Sequence, residues 1–257
     1  MAMDLRIEHL TCGYRRRAVI RDLTVAPLRQ GRVVGLLGPN AAGKSTLLKG
    51  LAGLLPAQGR AMLGETDLIG LPPRQRAKLL GFMPQAIPDG VELTVFESLI
   101  ASLQATGAVP GAQAAERAAA ALSRIDILPL AMRKLSDLSG GQKQLVSFAQ
   151  AVAGNPALLC LDEPTSALDP RHQLTVMARA RQLAADGALV IVVLHDLALA
   201  ARWADEILIL KDGTLYAQGA PDVVITRQML AEVYGVDGHA ERNTAGHLTV
   251  HLNAAVL

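Results

Sequence analysis

Gly38-Pro-Asn-Ala-Ala-Gly-Lys-Ser45 stands between an apolar run, Val33-Val-Gly-Leu-Leu37, and a stretch with helical spacing, Lys44-Ser-Thr-Leu-Leu-Lys-Gly-Leu-Ala52. The pattern is G-x-x-x-x-G-K-[ST], and a strand before it with a helix after it is the setting in which it binds phosphate. Its glycines let the backbone wrap so that successive N–H groups face inward, and the helix adds the positive end of its dipole. Lys44 then reaches the β- and γ-phosphates, and the Ser45 hydroxyl is placed for Mg²⁺. An ordinary glycine-rich turn has no need of that setting.

A second apolar run, Leu158-Leu-Cys-Leu161, ends in two carboxylates, Asp162 and Glu163. By itself an Asp-Glu pair after a strand reads as a helix-capping turn. With a phosphate loop upstream, Asp162 is placed to hold Mg²⁺, directly or through a water, as the partner of Ser45. Glu163 is placed to take a proton from an attacking water. Between the two motifs, Leu138-Ser-Gly-Gly-Gln142 precedes a helix expected over Gln142–Ala153. It offers a hydroxyl and backbone N–H groups to an anion, or serves simply as a helix cap.

Three blocks follow from the periodicity. The first, about Asp4 to Gln85, holds short alternating stretches and the phosphate loop; the second, about Ala86 to Val152, is alanine-rich with helical spacing, as in Ala112–Leu122. The third, from about Pro156, alternates strands and helices, which predicts a parallel sheet with crossover helices. The helical block thus reads as an insertion: a core from 1–85 and 153–257, and a helical subdomain from 86–152. Gly246–Leu252 suggests one more short strand near the end. The longest apolar runs, Ala188–Leu194 and Ile207–Leu210, fall far short of the ~20 residues a membrane span needs and read as buried strands.

Composition narrows the class. With 51% hydrophobic and 19% charged residues the chain is not disordered. Lys plus Arg number 25 against 23 Asp plus Glu, without the basic excess of a dedicated nucleic-acid binder. Aromatics at 3% leave few rings for stacking bases. Two cysteines, Cys12 and Cys160, suit a reducing cytosol, and Met1–Leu10 carries charges where a signal peptide needs an apolar core.

Together the motifs resemble the ABC (ATP-binding cassette) ATPases, whose signature reads Leu-Ser-Gly-Gly-Gln. The resemblance covers about residues 4 to 235 in six ordered motifs: Tyr14, Gly38–Ser45, Gln85, Leu138–Gln142, Leu158–Glu163 and His195. It implies an α/β fold, with a P-loop NTPase core of mainly parallel sheet, an N-terminal antiparallel β subdomain and an inserted α-helical subdomain. It implies ATP binding by Tyr14, stacked on adenine, and by Gly38, Pro39, Asn40, Ala41, Ala42, Gly43, Lys44, Ser45 and Thr46. Tyr14 otherwise reads as a strand-end residue packed in the core. Ser45, Gln85 and Asp162 would hold Mg²⁺; Glu163, His195 and Gln85 would serve catalysis. Ser139, Gly140, Gly141 and Gln142 would close over ATP bound to a second copy, and Asp169 would lie in a loop crossing that interface. Two departures stand out. Ala41 replaces the family's usual glycine and is expected at negative φ, and the helix after Gln142 lacks the arginines common there.

The resemblance further implies a homodimer burying two ATP molecules and docked on separate membrane permease subunits. The wording of Gly38–Leu48, of His195-Asp-Leu-Ala-Leu-Ala-Ala-Arg-Trp-Ala-Asp205 and of Val233-Tyr-Gly-Val236 is similar to uptake systems for iron chelates, haem and cobalamin. Such systems add a periplasmic or lipid-anchored substrate-binding protein and place the ATPase on the cytoplasmic face of the inner membrane. Ile87, Val91, Leu93 and Phe96 offer apolar surface to a short permease helix, although Phe96 suits the helical block's own core. The rival class, a cytosolic ABC ATPase acting on nucleic acid or ribosomes, calls for two cassettes or a long inserted coiled coil, and this chain has neither pattern.

Overall fold

The computed structural model describes residues 3–15, 17–85, 92–107, 109–166 and 168–256. In chain order the first half contains β1 (Leu5–Tyr14), β2 (Arg17–Leu28), β3 (Val33–Leu37), α1 (Lys44–Ala52), β4 (Ala57–Leu63), β5 (Thr66–Asp67), α2 (Pro73–Leu79) and β6 (Leu80–Met83). Three helices follow: α3 (Val95–Thr106), α4 (Ala114–Arg124) and α5 (Gly140–Ala153). The chain then alternates β7 (Leu158–Leu161), α6 (Pro170–Ala185), β8 (Leu189–Val193), α7 (Leu197–Trp203), β9 (Glu206–Lys211) and β10 (Thr214–Gly219). It ends with α8 (Pro221–Val224), α9 (Arg227–Met229), a π-helical turn Leu230–Tyr234, and the hairpin β11 (Val236–Arg242) with β12 (Leu248–Ala255).

The central sheet has the order β10-β9-β3-β8-β7-β6, parallel throughout except for the antiparallel edge strand β10. A separate antiparallel sheet, β2-β1-β4-β5, lies at the N-terminal end of the sequence. Strands β3, β7 and β8 are buried on both faces, as parallel strands covered on two sides require. Their alternate side chains feed two cores. Val33 and Leu37 face the one shared with α3–α7, while Val34 and Leu36 face the one built with the antiparallel sheet and α1.

Local chemistry sets the helix ends. Thr94 and Glu97 form a reciprocal capping box at the start of α3, and Ser139 and Gln142 form another at α5. The α5 helix therefore begins at Gly140, two residues before the point its apolar periodicity indicates. The expected single strand near the C-terminus is in fact a pair. Polar, glycine-containing Val236–Arg242 is recruited by backbone pairing with Leu248–Ala255, which periodicity does not reveal.

Candidate nucleotide site

The parallel sheet points β3, β7 and β8 toward one rim, where their following loops meet. Within the phosphate loop Ala42 N–H donates to the Pro39 carbonyl at 3.2 Å, closing a four-residue turn with Asn40 and Ala41 at its centre. The second central residue of such a turn takes positive φ when the turn is type II. Ala41 accordingly has φ 64°, which corrects the expectation of negative φ. The turn's closure outweighs the steric cost of a methyl in the left-handed region, about 1–2 kcal/mol. Gly43, at φ 102°, precedes α1; a side chain there would strike Ile20.

Lys44 is folded back into the loop it follows. Its Nζ donates to the Gly38 carbonyl at 2.6 Å and the Pro39 carbonyl at 2.9 Å, and burial pulls its pKa below the ordinary lysine value. These carbonyls hold the ammonium in the place where a polyphosphate would meet it. Ser45 Oγ donates to Asp162 Oδ1 at 2.8 Å, joining the loop to the end of β7. Asp162 is 1% exposed, and its other oxygen, Oδ2, has no hydrogen-bond partner. Burial raises the Asp162 pKa, against the opposing Ser45 hydrogen bond and the nearby Lys49 and Lys44 charges. A hydroxyl beside an unsatisfied carboxylate oxygen fits a Mg²⁺ ion, a hard cation that takes few protein ligands when phosphates supply the rest. Among the described residues no group of three or more His, Cys, Asp or Glu could hold a metal ion.

Glu163 is turned out of the strand line by a left-handed backbone, φ 53°. Gln144 of α5 donates from Nε2 to its carbonyl at 2.6 Å. Its carboxylate lies between two side chains: His195 Nε2 stands 2.6 Å from Oε1, and Gln85 Nε2 donates to Oε2 at 2.8 Å. Residues from the ends of β6, β7 and β8 thus converge on one carboxylate that is only 14% exposed. A cleft of about 450 Å³ opens in front of them, lined by Tyr14, Arg17, Val19, Asn40 through Thr46, Glu163 and His195. Tyr14, half exposed at the end of β1, stands at its wall rather than in the core.

Gly38, Pro39, Gln85 and Asp162 adjoin the cleft without lining it, and the signature residues and Asp169 also lie outside its lining. Ser139 caps α5, with Gly140 and Gly141 opening that helix and Gln142 completing the capping box. Asp169 caps α6 by accepting from His172 N–H. Ile87 and Val91 lie outside the described residues, while Leu93 is 39% exposed and Phe96 packs against the core. Arg17, Gln144 and Tyr234 also stand at the site and lie outside the expected set. Arg17 was signalled by the basic run directly after Tyr14, and Tyr234, whose hydroxyl accepts from Gly38 N–H at 2.9 Å, by the stretch Val233-Tyr-Gly-Val236, which had no site role assigned; Gln144 carries no motif of its own.

The family model for ABC transporters matches residues 22–166. The chain is 39% identical to the hemin import ATP-binding protein HmuV of Pseudomonas aeruginosa, over 93% of this chain and 95% of that protein. It is 38% identical to the protein of the same name from Ruegeria sp. strain TM1040, over 91% and 92% of the respective chains. Among solved structures, an inward-facing metal-chelate type ABC transporter matches with TM-score 0.80 and 26% identity, over 98% of this chain and 97% of that one. A dimeric ATP-binding cassette in a post-hydrolysis state, bound to ADP and Pi, matches with TM-score 0.75 and 27% identity, over 84% and 98%.

Proposed function

As this chain belongs to the ABC transporter family, we propose that it is the ATP-hydrolysing subunit of a bacterial importer that carries haem, or an iron chelate or cobalamin of the same transport class, through a separate membrane permease. The observation that carries the hydrolytic part is the meeting of Gln85, Glu163 and His195 on one carboxylate beside the phosphate loop. The names of the relatives support haem as the cargo. No helix among the described residues is long and apolar enough to cross a membrane.

In this reading Tyr14 stacks on adenine, and Gly38 through Thr46 wrap the phosphates. Lys44 exchanges its loop carbonyls for phosphate oxygens. Ser45, Asp162 and Gln85 would hold Mg²⁺, which would supply positive charge against the negative charge that develops in phosphoryl transfer. Glu163 accepts the proton of the attacking water, and His195 orients Glu163 and meets the γ-phosphate. Ser139, Gly140, Gly141 and Gln142 of a second copy close over that phosphate, with the loop at Asp169 at the interface. Two ATP molecules are then buried between two subunits, and hydrolysis removes the contacts that favour the closed state. The dimer sits peripherally on the cytoplasmic face of the inner membrane, under permease subunits served by a periplasmic or lipid-anchored binding protein.

The test is reconstitution of the chain with its permease in vesicles, following ATP-driven accumulation of haem, a ferric chelate and cobalamin separately. Uptake of one of the three that needs ATP supports the reading. ATP turnover indifferent to the permease and stimulated by nucleic acid would replace it with the cytosolic alternative.

A further inference from the structure

The phosphate loop is entered through Gly38, and that residue is held in an unusual way. Ladder pairing of β3 ends at Leu37, which is matched to Ile209 of β9, so the next N–H lies beyond the sheet. Gly38 is buried, has φ 143°, and fits so closely against β9 that a Cβ would lie 2.2 Å from the Leu210 carbonyl. A buried N–H at such a point must find a partner. It finds one 196 residues later, in the Tyr234 hydroxyl at 2.9 Å.

Tyr234 is the last residue of the π-helical turn, a rare conformation that recurs at functional sites. Leu230 and Val233 of the same turn are buried and fix its position, and Gly235 ends it in the left-handed conformation, φ 67°. The ring packs against the core, with its oxygen at the loop's first N–H. Burial pushes the phenol up to about 12, so the hydroxyl stays neutral at working pH.

We propose that Tyr234 is a positioning residue for nucleotide binding: by accepting the Gly38 N–H it sets where the phosphate loop leaves β3, and so ties the C-terminal segment to the affinity for ATP. The proposal rests on the reading of this loop as the ATP site. A hydroxyl that only filled space would be replaceable by hydrogen. A hydroxyl that sets the loop is not, because its loss frees the loop entry to shift while every apolar contact of the ring survives.

The experiment compares the full-length parent with Tyr234→Phe and with Tyr216→Phe, whose hydroxyl donates to the Glu232 carboxylate at 2.7 Å rather than meeting the Gly38 N–H. Steady-state ATPase, equilibrium binding of a fluorescent ATP analogue, melting temperature and the Gly38 amide signal in a glycine-labelled ¹⁵N spectrum are read for each. For Tyr234→Phe we expect KM and Kd for ATP to rise about tenfold with kcat within twofold, the pattern of lost uniform binding. The Gly38 amide signal should move, and Tyr216→Phe should match the parent. Unchanged KM, Kd and Gly38 amide in Tyr234→Phe overturn the proposal. So does a fall in kcat together with melting temperature, which would make the tyrosine structural only. A parent chain that binds no ATP would instead overturn the functional reading itself.

Discussion

Glu163 sits where three elements compete for it: its backbone is left-handed, its carbonyl accepts from Gln144, and its carboxylate is flanked by Gln85 and His195. A carboxylate so fixed is suited to one proton transfer. Glu163→Gln is expected to keep ATP affinity within a fewfold and to lower turnover by about 10²–10⁴, the usual worth of a general base; single-turnover hydrolysis checks it. Asp162 behaves differently. Burial raises its pKa, so folding disfavours its charged form relative to the unfolded chain, and the stabilising share, present below the ordinary carboxylate range, is lost as pH rises through the raised value. Asp162→Asn should thus melt above the parent near neutral pH without nucleotide, with the gap closing as pH falls through the ordinary carboxylate range, while Mg²⁺-dependent hydrolysis is lost. At Ala41, Ala41→Gly removes a strained methyl and should leave the melting point level or raise it by 1–3 °C, whereas Ala41→Val should lower it by more; calorimetry of the three decides. Gly38, Lys44 and Asp162 were legible because their chemistry forces a spacing in the chain. The φ of Ala41 was not, because the turn that sets it overrides the residue's own preference.

At the scale of elements, α5 joins capping to a candidate role across the dimer. The Ser139 hydroxyl already accepts from Gln142 N–H at 3.3 Å, which leaves its proton free to be donated outward. A mixed dimer with Lys44→Ala on one chain and Ser139→Arg on the other should trap one nucleotide, since both lesions fall in one composite site. The same pair of changes on a single chain damages both sites and should trap none. Equal trapping in the two dimers would rule out a site shared between copies. The strands β3, β7 and β8 were readable as unbroken apolar runs, and α1 as helical spacing after the glycine loop. The strand β11 was not. Asp237, Gly238 and His239 carry no strand pattern, and only pairing with β12 across the hairpin makes them one.

At the scale of the whole molecule, a groove of about 260 Å³ runs between the end of α1, α2 and α3, with Leu54, Phe82 and Leu103 in its walls. Leu54 is 60% exposed there, and Phe82 stands three residues before Gln85, so the groove adjoins the strand that delivers Gln85 to Glu163. A permease helix seated in it could bias closure around ATP. Leu54→Asp should leave melting temperature and ATP affinity of the isolated subunit unchanged and abolish co-purification with the permease. Retained co-purification would move docking elsewhere, with segment 86–91 the next place to probe. The fold class was legible because strands and helices alternate after Pro156; the groove was not, because it is made by elements far apart in sequence.

The strand order also governs how the protein is made. Strand β3 is complete by residue 37, yet its two neighbours, β8 and β9, begin only at residues 189 and 206. On a ribosome adding about 5–20 residues per second, the strand that carries the phosphate loop waits roughly 8–30 s for a partner. The antiparallel sheet, whose strands all lie before residue 68, can close long before that. Nascent chains halted before β8 has left the exit tunnel should therefore protect β1, β2 and β4 from protease while β3 stays open to cleavage and to chaperones.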